Sequence, residues 1–218
     1  MQAYPVVGRL FYKSWLLTLL LLWAGSAGAA STTLLIMGDS LSAAYGIERK
    51  AGWVSLLRER LGDDIEVVNA SISGETTAGG ATRLPEQLGQ HDPDIVLLEL
   101  GGNDGLRGLP PQQMRANLSE MIEASQQAGA DVLLLGIQVP PNYGQAYSTA
   151  FRDIYRDLAD EYDIPLVPFL LDGIALDDDL MQDDGIHPTA EAQGMILDNV
   201  WPTLKTLLPK QSANVAKQ

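Results

Sequence analysis

"TLLIMGDSLSAAYG" occupies residues 33–46, and how it reads decides the fold. The apolar run Leu34–Met37 ends abruptly at Gly38, and an acid and a serine follow. A run this short, with no polar alternation, has the length of a strand buried on both faces. Working outward, the same kind of segment recurs as "IEVVNA" (65–70), "DIVLLEL" (94–100), "DVLLLGI" (131–137) and "PLVPF" (165–169). Between these lie stripes at helical spacing. Trp53, Val54, Leu57 and Leu61 share one face, as do Met114, Leu118, Met121 and Ile122. Phe151, Ile154, Tyr155, Leu158 and Tyr162 form a third stripe, and Ala192, Ile196, Val200, Leu204 and Leu208 a fourth. Such stripes read as core rather than as cofactor contacts. Strands alternating with helices predict an α/β protein. Its expected form is a three-layer, flavodoxin-like fold, with a five-stranded, mostly parallel sheet in the order 2-1-3-4-5 and helices on both faces.

The chain has 218 residues, enough for one core and a removable end. That end is residues 1–29. Arg9 and Lys13 precede the apolar "WLLTLLLLWA" (15–24), and "GSAGAAS" follows. A basic start, a short apolar centre and the small-residue Ala27-Gly28-Ala29 site predict a secretory signal peptide cleaved after Ala29. The apolar centre is too short to span a bilayer. Residues 30–218 are then the single domain, with a polar tail at 209–218 expected to fray. The expected location is periplasmic or secreted, as a monomer without stable membrane anchoring. Residues 1–29 carry two of the 14 basic and none of the 28 acidic residues, so the remainder carries a net charge of −16. A field of that sign repels nucleic acid and anionic surfaces. No cysteine is present, which excludes disulfides, a thiolate nucleophile and cysteine-ligated metal. The acidic run at 177–179 lacks the spacing of a calcium loop, and no metal or other cofactor is expected.

In an open parallel sheet, ligands bind at the carboxyl ends of the strands. There the sequence places "GDS" (38–40), "SISGETT" (71–77), "GGNDG" (101–105) and "QVPPNYG" (138–144). Taken alone, Ser40 reads first as a helix-start serine capping its own backbone. His187, in "DDGIHP", changes that balance, because a serine hydroxyl needs a base to take its proton. The imidazole needs a carboxylate in turn, and Asp184 lies three residues away across a Gly185-Ile186 turn. Asp183 is the lesser candidate, and Pro188 is expected to open a helix. His91, the only other histidine, sits in a polar turn and reads as structural. Oxyanion donors are available in the N–H groups of Gly74 and of Ser40 at a helix start, and in the Asn103 amide. The G-x-S-x-G elbow of α/β-hydrolases is absent.

Taken in order, "GDS", Gly74, "GGND" and "DGIHP" resemble the SGNH, or GDSL, hydrolase superfamily, whose four named residues map onto Ser40, Gly74, Asn103 and His187. The likeness runs from about Leu34 to about Leu208. "VVNASISGET", "LELGGNDGLRG" and "MQDDGIHP" resemble its bacterial periplasmic branch of acyl-CoA thioesterases, lysophospholipases and arylesterases. The resemblance implies a serine hydrolase cleaving carboxylic esters and thioesters through Ser40, His187 and Asp184. Asp39 would organise its loop rather than react. A mobile lid is expected at "ETTAGG" (75–80), with Glu75 and Thr76 near the substrate. Leu109, Pro110, Ile137, Pro140 and Tyr143 are candidates for an apolar acyl groove, or for ordinary loop packing. Two other readings stand beside this one: a carbohydrate O-acetylesterase with the same centre, and a non-catalytic acyl-chain binding protein.

Overall fold

The computed structural model describes residues 1–2 and 32–209. Residues 3–31, which hold most of the expected signal peptide, and the tail beyond residue 209 lie outside the described residues. Elements run β1 (Thr32–Gly38), α1 (Trp53–Leu61), β2 (Ile65–Asn69), α2 (Thr77–His91), β3 (Ile95–Glu99), α3 (Gly102–Leu106), α4 (Pro111–Gln127), β4 (Asp131–Leu135), α5 (Gln145–Tyr162), β5 (Leu166–Val167) and α6 (Gln193–Leu204). All five strands are parallel, in the order β2-β1-β3-β4-β5. The expected topology is therefore the observed one.

The order explains which residues are apolar. β1 and β3 are flanked on both sides, and Leu34–Met37 and Ile95–Leu98 are fully or almost fully buried. β2 lies at the edge and alternates, with Val67 buried and Glu66 exposed. The handedness of the crossovers sorts the helices. The chain steps one way from β1 to β2 through α1, and the other way for every later crossover. Right-handed connections then put α1 on one face and α2, α4 and α5 on the opposite face. The packing agrees: α1 rests on α6, while α2 packs on α4 and α4 on α5.

Three local expectations fail. Ser40 does not begin a helix; residues 40–46 form successive turns, with one helix-like bond from Ala43 N–H to the Asp39 carbonyl. Pro188 does not open a helix either. It pairs with Met181 in an isolated antiparallel bridge, closing the loop that carries His187, and α6 starts five residues later. Of the segment expected as a lid, residues 77–80 form the first turn of α2 rather than an irregular loop. Thr76 caps that helix by accepting from Gly79 N–H, and Thr77 is buried. Thr77 donates through both its N–H and its hydroxyl to the buried Asp104 carboxylate, at 2.9 and 2.6 Å. Two hydrogen bonds to a buried carboxylate oppose opening of this turn.

Candidate active site

Ser40 stands just past β1, at the carboxyl edge of the sheet. The turn that holds it needs Gly38, since a Cβ there would come within 2.7 Å of Glu99 Oε2 and 2.8 Å of Ser71 Oγ. Glu99, the last residue of β3, lies wholly buried beneath that turn. Its Oε2 accepts from Asp39 N–H and from Ser42 Oγ, at 3.2 and 2.7 Å. Asp39 is buried too, and its carboxylate accepts from Leu41 N–H at 3.0 Å and from the Asn103 amide at 2.9 Å. Asp39 thus organises the loop, as the sequence suggested, and joins Asn103 of α3 to the residue beside Ser40.

His187 approaches from the loop before α6. Its Nδ1 lies 2.6 Å from Asp184 Oδ2 and its Nε2 lies 2.8 Å from Ser40 Oγ. A carboxylate can only accept, so Nδ1 carries the proton and Nε2 offers a lone pair to the serine hydroxyl. The other Asp184 oxygen accepts N–H bonds from Ile186 at 2.9 Å and His187 at 3.0 Å. Burial pushes the Asp184 carboxyl up, but the His187 ring bond, the two N–H bonds and the imidazole charge outweigh it and bring it to about 2. Asp183, exposed, makes no part of this pair.

Gly74 is exposed on the loop after β2, and its carbonyl accepts from Arg107 at the end of α3, 3.0 Å away. Among the described residues, neither Ser40 N–H nor Gly74 N–H has an acceptor. One N–H of the Asn103 amide is bound to Asp39, which leaves the second free to point elsewhere. A serine whose proton can pass to a carboxylate-backed imidazole, beside uncommitted N–H donors, is equipped for nucleophilic acyl transfer.

The predicted groove residues do not share one environment. Ile137 is in the core, 5% exposed, and touches the space over Gly102. Pro140 and Pro110 are exposed, and Pro110 precedes α4. Leu109 and Tyr143 are half-buried. The Tyr143 hydroxyl donates to the Leu106 carbonyl, and the Tyr147 hydroxyl to that of Leu109. Glu75 Oε2 pairs with Arg83 at 2.7 Å, and Thr76 accepts the capping bond while its hydroxyl hydrogen stays uncommitted. His91 ends α2, away from the pair. A concavity of about 230 Å³ lies instead on the loop after β5, lined by Phe169, Leu171, Gly173–Asp177 and the exposed Leu176. Glu99, Ser42, Gln182 and Tyr45, whose ring lies 4.4 Å from that of His187, escaped the sequence reading. The one available signal was an acid inside the otherwise apolar "IVLLE".

A five-stranded parallel sheet with this serine–histidine–aspartate arrangement at its carboxyl edge defines a class, and the chain belongs to the GDSL-like lipase/acylhydrolase family, which matches residues 36–194. Among individual relatives, it is 54% identical over 183 residues to esterase TesA of Pseudomonas aeruginosa, spanning 83% of this chain and 91% of that one. It is 48% identical to thioesterase 1/protease 1/lysophospholipase L1 of Escherichia coli, over 84% of this chain and 88% of that one. The crystal structure of TesA superimposes with a TM-score of 0.79 at 53% identity, covering 81% of this chain and all of that one. Esterase EstA of Pseudoalteromonas, in a structure inhibited by monoethylphosphonate, gives 0.76 at 43% identity, over 80% and 97% of the two chains.

Proposed function

We propose that this protein is an exported serine hydrolase that cleaves carboxylic esters and thioesters through an acyl-enzyme. The observation that carries the reading is the Ser40 Oγ–His187 Nε2 contact of 2.8 Å, with Asp184 2.6 Å from the other ring nitrogen. Ser40 Oγ attacks the acyl carbonyl as His187 Nε2 takes its proton. The carbonyl oxygen becomes an oxyanion, held by Ser40 N–H, Gly74 N–H and the Asn103 amide. The C–O or C–S bond then breaks, and the proton on Nε2 goes to the departing alkoxide or thiolate. Water repeats the sequence: His187 accepts one proton from it, its oxygen joins the acyl carbon, and Ser40 regains its hydroxyl hydrogen. Asp184 keeps the imidazole in the Nδ1–H tautomer and balances the imidazolium charge.

The family relatives are named for aryl ester, thioester and lysophospholipid cleavage. With a net charge of −16 after removal of residues 1–29, the surface repels the phosphates of coenzyme A. Zwitterionic lysophospholipids and small neutral esters are therefore the substrates we assign, over the polyanionic acyl-CoA. The Ala27-Gly28-Ala29 site supports export.

A fluorophosphonate probe should label wild-type residues 30–218 and leave Ser40→Ala unlabelled. An unlabelled wild type refutes the acyl-serine. Hydrolysis of p-nitrophenyl octanoate as well as acetate separates this reading from an acetyl-only carbohydrate esterase.

A further inference from the structure

Ser40 and His187 lie 147 positions apart and ride on different supports. Ser40 follows β1, an interior strand of the sheet, whereas His187 sits in a loop closed by a single bridge between Met181 and Pro188. Asp184 belongs to that same loop, so the Asp184–His187 pair can move as one body without breaking its own bonds. Nothing within the pair fixes its distance from the serine.

Gln182 links the two bodies. Its Nε2 donates to the Tyr45 carbonyl at 2.9 Å, on the serine side, and to the Pro188 carbonyl at 3.0 Å, on the histidine side. Its main-chain N–H donates to the His187 carbonyl at 2.7 Å, and its carbonyl accepts from Gly185 N–H at 2.9 Å. Tyr45 N–H in turn donates to the Ser40 carbonyl at 3.2 Å. The bonds close a circuit from Ser40 through Tyr45, Gln182 and His187 back to the serine hydroxyl. The backbone next to Tyr45 is shaped around this amide. Gly46 sits at φ +75°, and a Cβ there would lie 2.1 Å from Gln182 Oε1. Tyr45, held by the same amide, places its ring against His187.

We propose that Gln182 is a positioning residue whose side-chain amide straps the His187 loop to the Ser40 turn and so sets the distance over which the proton passes. The inference rests on the reading of Ser40 and His187 as nucleophile and base. It needs no contact between Gln182 and substrate. Reacting groups displaced by about 1 Å lose on the order of 10²-fold in rate, so loss of the strap acts on turnover rather than on substrate binding.

Gln182→Met keeps the length and volume of the side chain and removes both donors. It should lower kcat and the rate of fluorophosphonate labelling by about 10–100-fold, with KM within about twofold. The downfield proton resonance of His187 Nδ1–H should persist, because its partner Asp184 moves with it. Gly46→Ala, which displaces the amide from the other side, should lower kcat similarly. The double variant should then lose little more than either single one, since both break one connection. Wild-type labelling and turnover in Gln182→Met overturn the proposal. So does a loss of the Nδ1 resonance, or a fall in melting temperature that accounts for the lost activity, either of which makes Gln182 a folding residue. Full additivity of the two substitutions overturns it as well. A wild type that resists the probe removes the nucleophile itself, and that result is read without any Gln182 variant.

Discussion

Two carboxylates flank Ser40, and their surroundings drive them in opposite directions. Asp39, one residue away and buried, is pushed up to about 6, first by burial, against the hydrogen bonds of Leu41 N–H and Asn103. Asp184, on a surface turn, is brought down to about 2 by the bonds from His187 and Ile186 that overcome its desolvation. The nearer acid in sequence is thus the one that holds its charge poorly, and its oxygens are committed to Leu41 and Asn103. The remote acid is reliably ionised and faces the imidazole. Proximity to the nucleophile says little about which carboxylate backs the base; solvation and committed hydrogen bonds decide it.

The comparison breaks most readily at Asp184. Asp184→Asn presents an amide N–H or a weaker acceptor to Nδ1 and no longer balances the imidazolium, so kcat should fall about 10³–10⁴-fold. Asp183→Asn, one residue earlier and outside the pair, should leave kcat unchanged. Equal losses from the two substitutions would mean that the turn, and not its hydrogen bond to His187, matters. Next comes the group that Asp39 holds. Asn103→Ala should cost about 10²–10³-fold in kcat with the melting temperature preserved, if its free N–H meets the oxyanion. A collapse of folding instead would make Asn103 only a tie between Asp39 and α3.

What could be read in the sequence divides along the same line, between local and distant partners. The central strands were legible because Leu34–Met37 and Ile95–Leu98 are buried on both faces and therefore apolar throughout. The Asp184–His187 pair was legible because three residues and a glycine turn bring its members together. Helix α2 was not. Its inward stripe is Thr77, Gly80, Leu84 and Leu88, half of it small or polar, with Pro85 interrupting the run. Those small residues are required: a Cβ on Gly80 would lie 2.3 Å from Leu100 Cδ1, and Thr77 serves Asp104. Glu99 and Gln182 were equally hidden. Ser42 lies 57 positions from Glu99 and Tyr45 lies 137 from Gln182, distances over which no spacing rule operates.

The two acids also separate in their dependence on pH. A carboxyl whose folded pKa is lowered stabilises the fold above its unfolded value and loses that contribution as pH falls through about 2; this is Asp184. A carboxyl whose folded pKa is raised contributes fully below its unfolded value of 3.8 and loses the contribution as pH rises through about 6; this is Asp39. Measured against Asp39→Asn, wild type should lose on the order of 2 kcal/mol of unfolding free energy between pH 4 and 6. Parallel pH profiles of urea unfolding for the two proteins would show that Asp39 carries no such penalty.

The smallest effect belongs to the third acid, and it sharpens the contrast furthest. Glu99 is 0% exposed, its Oε1 has no partner among the described residues, and burial together with the neighbouring Asp39 charge pushes its pKa well above the ordinary carboxyl range. Burial therefore favours its neutral form, and its Oε2 accepts from Asp39 N–H and Ser42 Oγ. Glu99→Gln keeps that acceptor and mimics the neutral form, so with Glu99 uncharged stability at pH 7 should change by about 1 kcal/mol or less and kcat by less than about twofold. Glu99→Leu strands Asp39 N–H and Ser42 Oγ in the core and should cost about 2–4 kcal/mol. A Gln variant as damaged as the Leu variant would mean that Glu99 is ionised in the folded protein. In that case burial alone does not govern the acids beneath Ser40, and the same argument for Asp39 fails with it.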